Sequence, residues 1–247
     1  MKRICARIDV KGENCVKGKN YEGLRKIGPA GAIGHHAFDA GFDEVFYIDL
    51  VASLYRRNFD AAVVNQVASS LFIPFSVTGG VRSIEDAKAL VVSGVEKVGV
   101  NTRAHQDRGL LDEMAGLFGR QFCVLAIDAK RLGSGSYECQ VLGGREHTGV
   151  MVADFVKAMA PRVGEILITS IDRDGCLTGP DLELIEQVAG LCKVPLVYSG
   201  GIRNVDDIRL AFRAGASAVA VGAAFHDEGF VANEAKVLLQ DEFEVNL

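Results

Sequence analysis

The sequence lacks the features that mark several large classes of protein. It has no excess of positive charge, since 27 lysines and arginines stand against 32 aspartates and glutamates, and this balance indicates no nucleic-acid or membrane partner. No uninterrupted apolar run is long enough to cross a bilayer. The first ten residues carry two arginines and an aspartate where a signal peptide has its apolar core. We therefore expect a cytoplasmic protein.

Paired cysteines and clustered histidines are missing as well. The 6 cysteines never form a Cys-x-x-Cys motif, and most lie in apolar runs, which is typical of reduced, buried thiols. His35 and His36 fall on a helical pattern, and His105, His147 and His226 lie away from the expected strand ends. None of these histidines has a partner at the spacing of metal ligands. The sequence thus predicts neither a metal site nor a bound cofactor.

What the sequence does contain is a long internal repeat. Residues 77–102 align without a gap with residues 198–223. Each copy begins with an apolar run that ends in Gly-Gly, continues with a helical pattern and closes with a second apolar run, which is typical of a β-α-β unit. The repeat indicates that one half-domain has been used twice.

Further apolar runs extend this alternation over the whole chain. Eight of them have the length and composition of buried strands: 4–10, 44–50, 74–78, 97–101, 121–128, 165–170, 195–199 and 218–222. Helical patterns separate them at 30–40, 59–70, 84–94, 109–118, 150–160, 181–191 and 205–215, and we expect a last helix from about Phe230.

This alternation predicts an α/β fold of the (β/α)8 TIM-barrel type. The 247 residues suit a single barrel domain over 1–247, with half-barrels at roughly 1–118 and 119–247. An open, doubly wound sheet is the alternative. The half-chain repeat and the absence of a Gly-x-Gly-x-x-Gly motif after the first strand both argue against it.

In such a barrel the carboxyl ends of the strands form the active site. Asp9 and Asp128 end the first strand of each half, so the repeat places them opposite each other across the barrel mouth. Two carboxyls in different surroundings can act as an acid and a base. The alternative is that each caps the amides of its own loop, as we expect for Asp49 and Asp172. Lys17, in the first loop, could fold over the mouth as a lid.

The two Gly-Gly turns also lie at carboxyl ends of strands. Glycines there allow a ligand close to the backbone, and the following helix directs amide donors at the same place. We therefore expect two phosphate sites that face one pocket. The alternative is that each Gly-Gly pair only forms a tight turn.

The other end of the barrel has its own pattern of charge. Arg3, Glu44, Lys97 and Glu165 each stand at the start of a strand. Their signs favour a ring of salt bridges across the barrel floor. Such a ring can be a structural plug, which is the more common use of buried ion networks, or a gate for a small molecule that enters from below.

Four motifs identify a resemblance to a known family. They are Ile127-Asp-Ala-Lys-Arg131, Thr169-Ser-Ile-Asp-Arg-Asp-Gly175, Val98-Gly-Val-Asn-Thr102, and the opening Ile8-Asp9-Val10 with Val16-Lys17-Gly18. With them the chain resembles, over nearly its whole length, the cyclase subunit of imidazole glycerol phosphate synthase from histidine biosynthesis. The sister isomerase of that pathway shares the half-barrel repeat and an aspartate pair but not the first two motifs, so it is the less favoured alternative.

The resemblance implies a reaction. Ammonia, released from glutamine by a partner glutaminase, crosses the barrel and meets a bisphosphate at the mouth. That substrate is a phosphoribulosyl-formimino aminoimidazole carboxamide ribonucleotide, and the products are imidazole glycerol phosphate and aminoimidazole carboxamide ribonucleotide.

The resemblance also implies roles for individual residues. Asp128 would be the general acid, Asp9 the base, and Lys17 the residue that holds the first loop on the substrate. One phosphate would be bound by Gly80, Asn101 and Thr102, and the other by Asp174, Gly175, Gly201, Gly222 and Ala223. Arg3, Glu44, Lys97 and Glu165 would form the ammonia gate.

The chain departs from the family pattern at two positions. Arg7 stands where the family has a small thiol, and strand alternation points it into the barrel beside Asp9, where it would lower the pKa of Asp9 and narrow the conduit. Thr78 replaces a glycine. The opening resembles a sister branch from surface-polysaccharide gene clusters, which implies an alternative: a subunit that delivers ammonia to a sugar amidotransferase, with weak or lost cyclase activity.

Overall fold

A computed structural model describes residues 1–246 and shows a closed barrel of eight parallel strands. The barrel strands, in chain order, are β1 (Arg3–Lys11), β4 (Glu44–Asp49), β5 (Phe75–Thr78), β6 (Lys97–Val100), β7 (Cys123–Arg131), β10 (Glu165–Ser170), β11 (Leu196–Ser199) and β12 (Ala218–Val221). Neighbours in the chain pair in this order, and β12 closes on β1, where Ala6 pairs with Val221. The predicted (β/α)8 fold is confirmed.

Within residues 1–246, ten α-helices surround or cap the barrel. They are α1 (Ala30–Asp39), α2 (Ala61–Ala68), α3 (Ile84–Val92), α4 (Thr102–Gln106), α5 (Gly109–Phe118), α6 (Val152–Met159), α7 (Leu182–Ala189), α8 (Val205–Arg213), α9 (Ala223–Asp227) and α10 (Ala232–Leu239). The short helices α4 and α9 directly follow β6 and β12, at corresponding places of the two halves. None of the helices within 1–246 is long and apolar enough to cross a membrane.

Strand alternation divides the core into two layers. On β1, Ile4 and Ile8 pack against the helices, whereas Cys5, Arg7 and Asp9 point into the barrel. The outer layer is large and apolar throughout. The inner layer is apolar only in its middle, so the charged side chains at the two ends of the lumen are separated by apolar ones.

Two β-hairpins extend from the barrel where the sequence predicts only loops. The first, β2 (Asn14–Lys19) and β3 (Glu22–Pro29), continues from β1. The second, β8 (Tyr137–Val141) and β9 (Glu146–Met151), pairs antiparallel with the outer end of β7. Much of the segment 132–148 is therefore strand, because β7 runs past the barrel rim and its backbone pairs with β8.

The repeated motif after each Gly-Gly pair builds the start of a helix. Asp86 accepts a hydrogen bond from the backbone nitrogen of Arg82 at 2.9 Å, and Asp207 accepts the same bond from Arg203 at 2.9 Å. Acidic side chains at a helix amino end satisfy free amides and interact well with the helix dipole. The recurrence of an aspartate at these two positions of the repeat is thus explained by helix capping alone.

Gly79 and its counterpart Gly200 are required by close backbone approach. Gly79 has a φ of 97°, and a Cβ there would lie 2.4 Å from the carbonyl oxygen of Asp49. At Gly200, with a φ of 121°, a Cβ would lie 2.9 Å from the carbonyl oxygen of Ser170. Each glycine therefore lets one strand end pack against the strand before it.

Gly79→Ala should cost much more stability than Gly94→Ala. Both glycines have positive φ, but nothing lies within 4 Å of a Cβ at Gly94, so Gly94→Ala should lose only the conformational term, about 1–2 kcal/mol. Gly79→Ala adds a backbone clash, about 1–3 kcal/mol more. The check is chemical denaturation of both variants, and equal losses would contradict the packing argument.

Candidate active site

Asp9 lies in the upper lumen and is held by two cations. It is 1% exposed, with Oδ1 accepting from Arg7 Nε at 2.7 Å and Oδ2 from Lys17 Nζ at 2.7 Å. Burial alone would raise the pKa of this carboxyl, but the charges of Arg7 and Lys17 outweigh it and lower the pKa to about 2. Asp9 is therefore ionised at every physiological pH. The predicted pairing of Arg7 with Asp9 and its effect on the pKa are confirmed.

Asp128 lies in the same lumen but has neutral neighbours. Oδ1 accepts from the Tyr21 hydroxyl at 2.6 Å, and Oδ2 accepts from Asn101 Nδ2 at 2.8 Å. Burial raises the pKa of Asp128 to about 6, although the Tyr21 hydrogen bond and the charge of Arg7 act in the opposite direction. One carboxyl thus titrates near neutrality while the other stays charged.

Tyr21 links the two carboxyls. Its hydroxyl donates to Asp128 and lies 3.3 Å from Arg7 Nη2, which in turn belongs to the guanidinium bound to Asp9. Sequence analysis did not select Tyr21, because this residue stands in the first hairpin, far along the chain from Asp128. Its position is visible only once the hairpin folds over the mouth.

Buried charged side chains hold the first hairpin against the barrel mouth. Lys17 is 2% exposed, and besides Asp9 it donates to Asp174 Oδ1 at 2.9 Å. The Asn20 backbone nitrogen donates to the Asp174 carbonyl oxygen at 2.9 Å, and a Cβ on Gly175 would lie 1.9 Å from the Gly18 carbonyl oxygen. Lys17 therefore sits within the lumen, between two carboxylates, in this closed arrangement.

The residues expected at the second-half phosphate converge on one niche beside Lys17: Asp174, Gly175, Gly201, Gly222 and Ala223. The niche measures about 10 Å³, which is room for roughly one water molecule. A phosphate group needs more space than this niche offers in the described arrangement.

The residues expected at the first-half phosphate do not converge in the same way. Asn101 lines a lumen cavity with Asp128. The Thr102 hydroxyl accepts from the Leu142 backbone nitrogen at 3.1 Å. Gly80 packs against the backbone of the loop after β4, where a Cβ would lie 2.3 Å from the Phe59 nitrogen. The structure thus places these three residues in three different surroundings.

At the barrel floor four charged side chains form a closed ring. Arg3 donates to Glu44 and to Glu165, and Lys97 Nζ lies 2.9 Å from a carboxylate oxygen of each. Ser76 Oγ also donates to Glu44, at 2.5 Å. The alternating signs leave no unpaired charge in the ring.

The remaining aspartates and histidines considered as site residues make structural contacts. Asp49 accepts from the backbone nitrogens of Val51 and Ala52, and Asp172 from that of Arg131, so both hold loops as expected. His226 is packed under the mouth, with Nε2 3.0 Å from the Arg7 carbonyl oxygen. Within 1–246, no group of three or more His, Cys, Asp or Glu side chains is arranged to hold a metal ion.

Arg7→Met should raise the pKa of Asp9 from about 2 toward its ordinary value, because only Lys17 would remain to favour the carboxylate. Breaking a buried ion pair by removing one partner costs about 3–5 kcal/mol. A carboxyl whose pKa is lowered by folding stabilises the fold above pH of about 4, and this contribution is lost as the pH falls toward 2. The difference in free energy of unfolding between wild type and variant should therefore narrow in acid. Carboxyl NMR titration and denaturation at several pH values measure both effects.

Arg103→Met is the matched control for that experiment. Arg103 pairs with Asp107, and their side chains are 37% and 44% exposed, so this pair should contribute at most about 1 kcal/mol. If Arg103→Met lowers the free energy of unfolding as much as Arg7→Met, the lumen pair contributes no more to stability than a surface pair.

Comparison with known proteins assigns the chain to a family. The family model described as "Histidine biosynthesis protein" matches residues 3–230. The imidazole glycerol phosphate synthase subunit HisF of Legionella pneumophila is 42% identical over 206 residues, 83% of this chain and 97% of the relative. The subunits of the same name from Dictyoglomus thermophilum and a Thermotoga species are 37% and 38% identical, over 98% and 97% of this chain and 96% and 94% of theirs. The chain therefore belongs to the histidine biosynthesis protein family.

Proposed function

We propose that this chain is the cyclase subunit of an imidazole glycerol phosphate synthase, a lyase that uses ammonia. It would convert the phosphoribulosyl-formimino aminoimidazole carboxamide ribonucleotide into imidazole glycerol phosphate and aminoimidazole carboxamide ribonucleotide. The observation that carries the proposal is the pair of lumen carboxyls, Asp9 and Asp128, with pKa values of about 2 and about 6. The names of the relatives support the same activity.

The different surroundings of the two carboxyls suit an acid–base pair. Asp128 keeps a protonated fraction near neutral pH and can donate that proton to a leaving nitrogen. Asp9 stays ionised and can accept a proton or stabilise positive charge, but its tight contacts with Arg7 and Lys17 make it a weak base as long as they persist. Movement of Lys17 would therefore both strengthen Asp9 as a base and open the second-half niche.

Phosphate binding offers a reason for that movement. In the closed arrangement Lys17 is neutralised by Asp9 and Asp174. A phosphate at Gly201, Gly222 and Ala223 would replace these carboxylates as the partner of Lys17. The first hairpin would then be held by the substrate, which is the role proposed for Lys17.

Ammonia would enter at the barrel floor, through the ring of Arg3, Glu44, Lys97 and Glu165, from a partner glutaminase on that face. The relatives are named as subunits, which supports assembly with another chain. The free thiols of the described residues suit the reducing cytoplasm, where we place the protein.

Asp128→Asn and Asp9→Asn should each lower ammonia-dependent cyclisation by roughly 10²–10⁴-fold, the usual size of a general acid–base contribution. Asp172→Asn is the matched control: it makes the same change at the barrel rim, at a carboxylate that holds a loop outside the lumen. The measurement is turnover of the ribonucleotide by the isolated chain with ammonium salt. If the lumen variants keep full turnover, the acid–base assignment is wrong.

The rate should also fall with rising pH above about 6, because Asp128 donates its proton only while protonated and its pKa is raised to about 6. We expect kcat/KM to drop about tenfold per pH unit on this limb. Free ammonia must be held constant by adjusting total ammonium at each pH. A profile without this limb would contradict the role of Asp128 as the acid.

One observation favours a second candidate function. Arg7 is 1% exposed and fills part of the lumen between Asp9, Thr169 and Ser199. A permanent cation bound to the base suits a subunit that passes ammonia to a sugar amidotransferase and has little cyclase activity of its own. Absence of turnover in a folded chain at high ammonium, together with co-purification of a sugar amidotransferase, would favour this candidate over the cyclase.

A further inference from the structure

Tyr21 is a buried aromatic residue at a place where hairpins usually expose their side chains. It stands in the two-residue turn between β2 and β3 with a φ of 65°, and Asn20 before it has a φ of 52°. Bulky residues seldom occupy this left-handed region, and they stay there only where the surroundings fix them. Tyr21 is nevertheless only 5% exposed, so the turn directs its ring into the barrel mouth.

Other elements of the chain hold the Tyr21 side chain in place. The guanidinium carbon of Arg7 lies 5.5 Å from the ring centroid, and a Cβ added at Gly144, in the turn of the second hairpin, would lie 2.8 Å from Tyr21 Cδ2. The hydroxyl accepts from Arg7 Nη2 at 3.3 Å and donates to Asp128 Oδ1 at 2.6 Å. The proton of the Tyr21 hydroxyl is therefore directed at Asp128.

This hydrogen bond selects the oxygen of Asp128 that can carry a proton. Arg7 has no acceptor to offer the Tyr21 hydroxyl, so the hydroxyl donates to Oδ1 and the proton of the acid form belongs on Oδ2. Oδ2 accepts from Asn101 Nδ2 at 2.8 Å, and Asn101 Oδ1 is buried without a hydrogen-bond partner among the described residues. A turn of that amide lets Asn101 accept from a protonated Oδ2.

The same hydrogen bond makes Asp128 a stronger acid. Burial raises the pKa of Asp128 to about 6, and the Tyr21 hydrogen bond is the strongest of the influences that lower it. A donor directed at a carboxylate stabilises the ionised form. Without the hydroxyl, Asp128 would be equally buried but would release its proton less readily.

The charged and titratable groups that face Asp128 come from several elements: Arg7 and Asp9 on β1, Tyr21 on the first hairpin, Cys139 on β8, and Asp174 after β10. Burial raises the pKa of Tyr21 and of Cys139 well above neutrality, and Asp9, buried but paired with two cations, has a pKa of about 2. An arginine keeps its charge throughout. A change in rate near pH 6 therefore reports Asp128 and not Arg7, Asp9, Tyr21 or Cys139.

We propose that Tyr21 is a positioning residue for the acid: its hydroxyl places the transferable proton of Asp128 on Oδ2 and makes that proton easier to release. This role rests on the proposed function of Asp128 as general acid. In the transfer the Oδ2–H bond breaks, the electron pair of the cleaved C–N bond stays on the leaving nitrogen and forms the new N–H bond, and Tyr21 and Asn101 stabilise the carboxylate that remains.

Tyr21→Phe removes the hydroxyl and keeps the ring. In the complete chain without substrate, the pKa of Asp128 should rise above about 6 by roughly one to two pH units, the usual effect of losing one hydrogen bond to a charged group. Carboxyl NMR titration measures it. In the matched control, Tyr137→Phe, the lost hydroxyl donates to the buried Asp181 at 2.7 Å, so the titration of Asp128 should not move. An unchanged pKa in Tyr21→Phe would overturn the proposal.

The pH profile of turnover separates positioning from a merely structural role. Below pH of about 6, where Asp128 is protonated in both proteins, the weaker acid of Tyr21→Phe should lower kcat/KM roughly three- to tenfold. Above pH of about 8 the variant should be the faster enzyme, because its Asp128 keeps more of the proton. Free ammonia is again held constant. If Tyr21 only held the hairpin, kcat/KM would fall by the same factor at every pH, and the proposal would be wrong.

Gly144→Ala should produce the same change of profile without removing the hydroxyl, because its Cβ would displace the Tyr21 ring. Gly149→Ala is the matched control: it lies in the same hairpin, its φ is 70° against 73°, and nothing lies within 4 Å of its Cβ. Identical profiles for the two alanine variants would count against the proposal. If Tyr21→Phe does not fold, the Gly144→Ala profile decides by itself.

The outcome is separable from that of the proposed function, because the titration needs no substrate. A raised pKa of Asp128 in a Tyr21→Phe chain, with no cyclisation by the wild type, would uphold the effect of Tyr21 on Asp128 and remove the cyclase. Cyclisation with parallel pH profiles would keep the cyclase and remove the role of Tyr21.

Discussion

A buried cluster of two cations and two carboxylates, Arg7, Lys17, Asp9 and Asp174, holds the mouth of this barrel together. Taking four charges out of water is expensive, and the cost is offset only because each charge has an opposite one within hydrogen-bond reach. The cluster joins β1, the first hairpin and the loop after β10. It also sets the chemistry of the mouth, because it keeps Asp9 ionised while Asp128, outside it, is free to titrate.

The same cluster makes closure and ligand entry compete. The second-half niche is small because Lys17 lies against Asp174, and the hairpin backbone lies against Gly175. At the proposed phosphate site, a phosphate would have to replace contacts that stabilise this arrangement of the chain. Binding would then exchange one set of charge-assisted hydrogen bonds for another, and the net affinity would depend on how well the bonds to phosphate match those they displace.

The sequence predicted the parts of this structure that depend on local pattern. The eight strands, the barrel and the inward direction of Arg7 and Asp9 follow from apolar runs, the repeat and strand alternation. The hairpins and Tyr21 do not, because their positions depend on contacts between residues far apart in the chain, such as Tyr21 with Asp128. Lys17 was expected over the mouth, but its burial depends on Asp174, which the pattern of the first loop does not reveal.

The closed ring at the barrel floor has a consequence for how this chain can change over generations. Glu44 and Glu165 each bind both Arg3 and Lys97, so losing one cation leaves two half-neutralised acids, and losing one acid leaves two cations in need of a partner. A single substitution therefore leaves charge without a full partner, whereas a joint replacement of one acid and one base leaves the remainder balanced. Descendants of this sequence should keep all four charges or lose them in pairs of opposite sign.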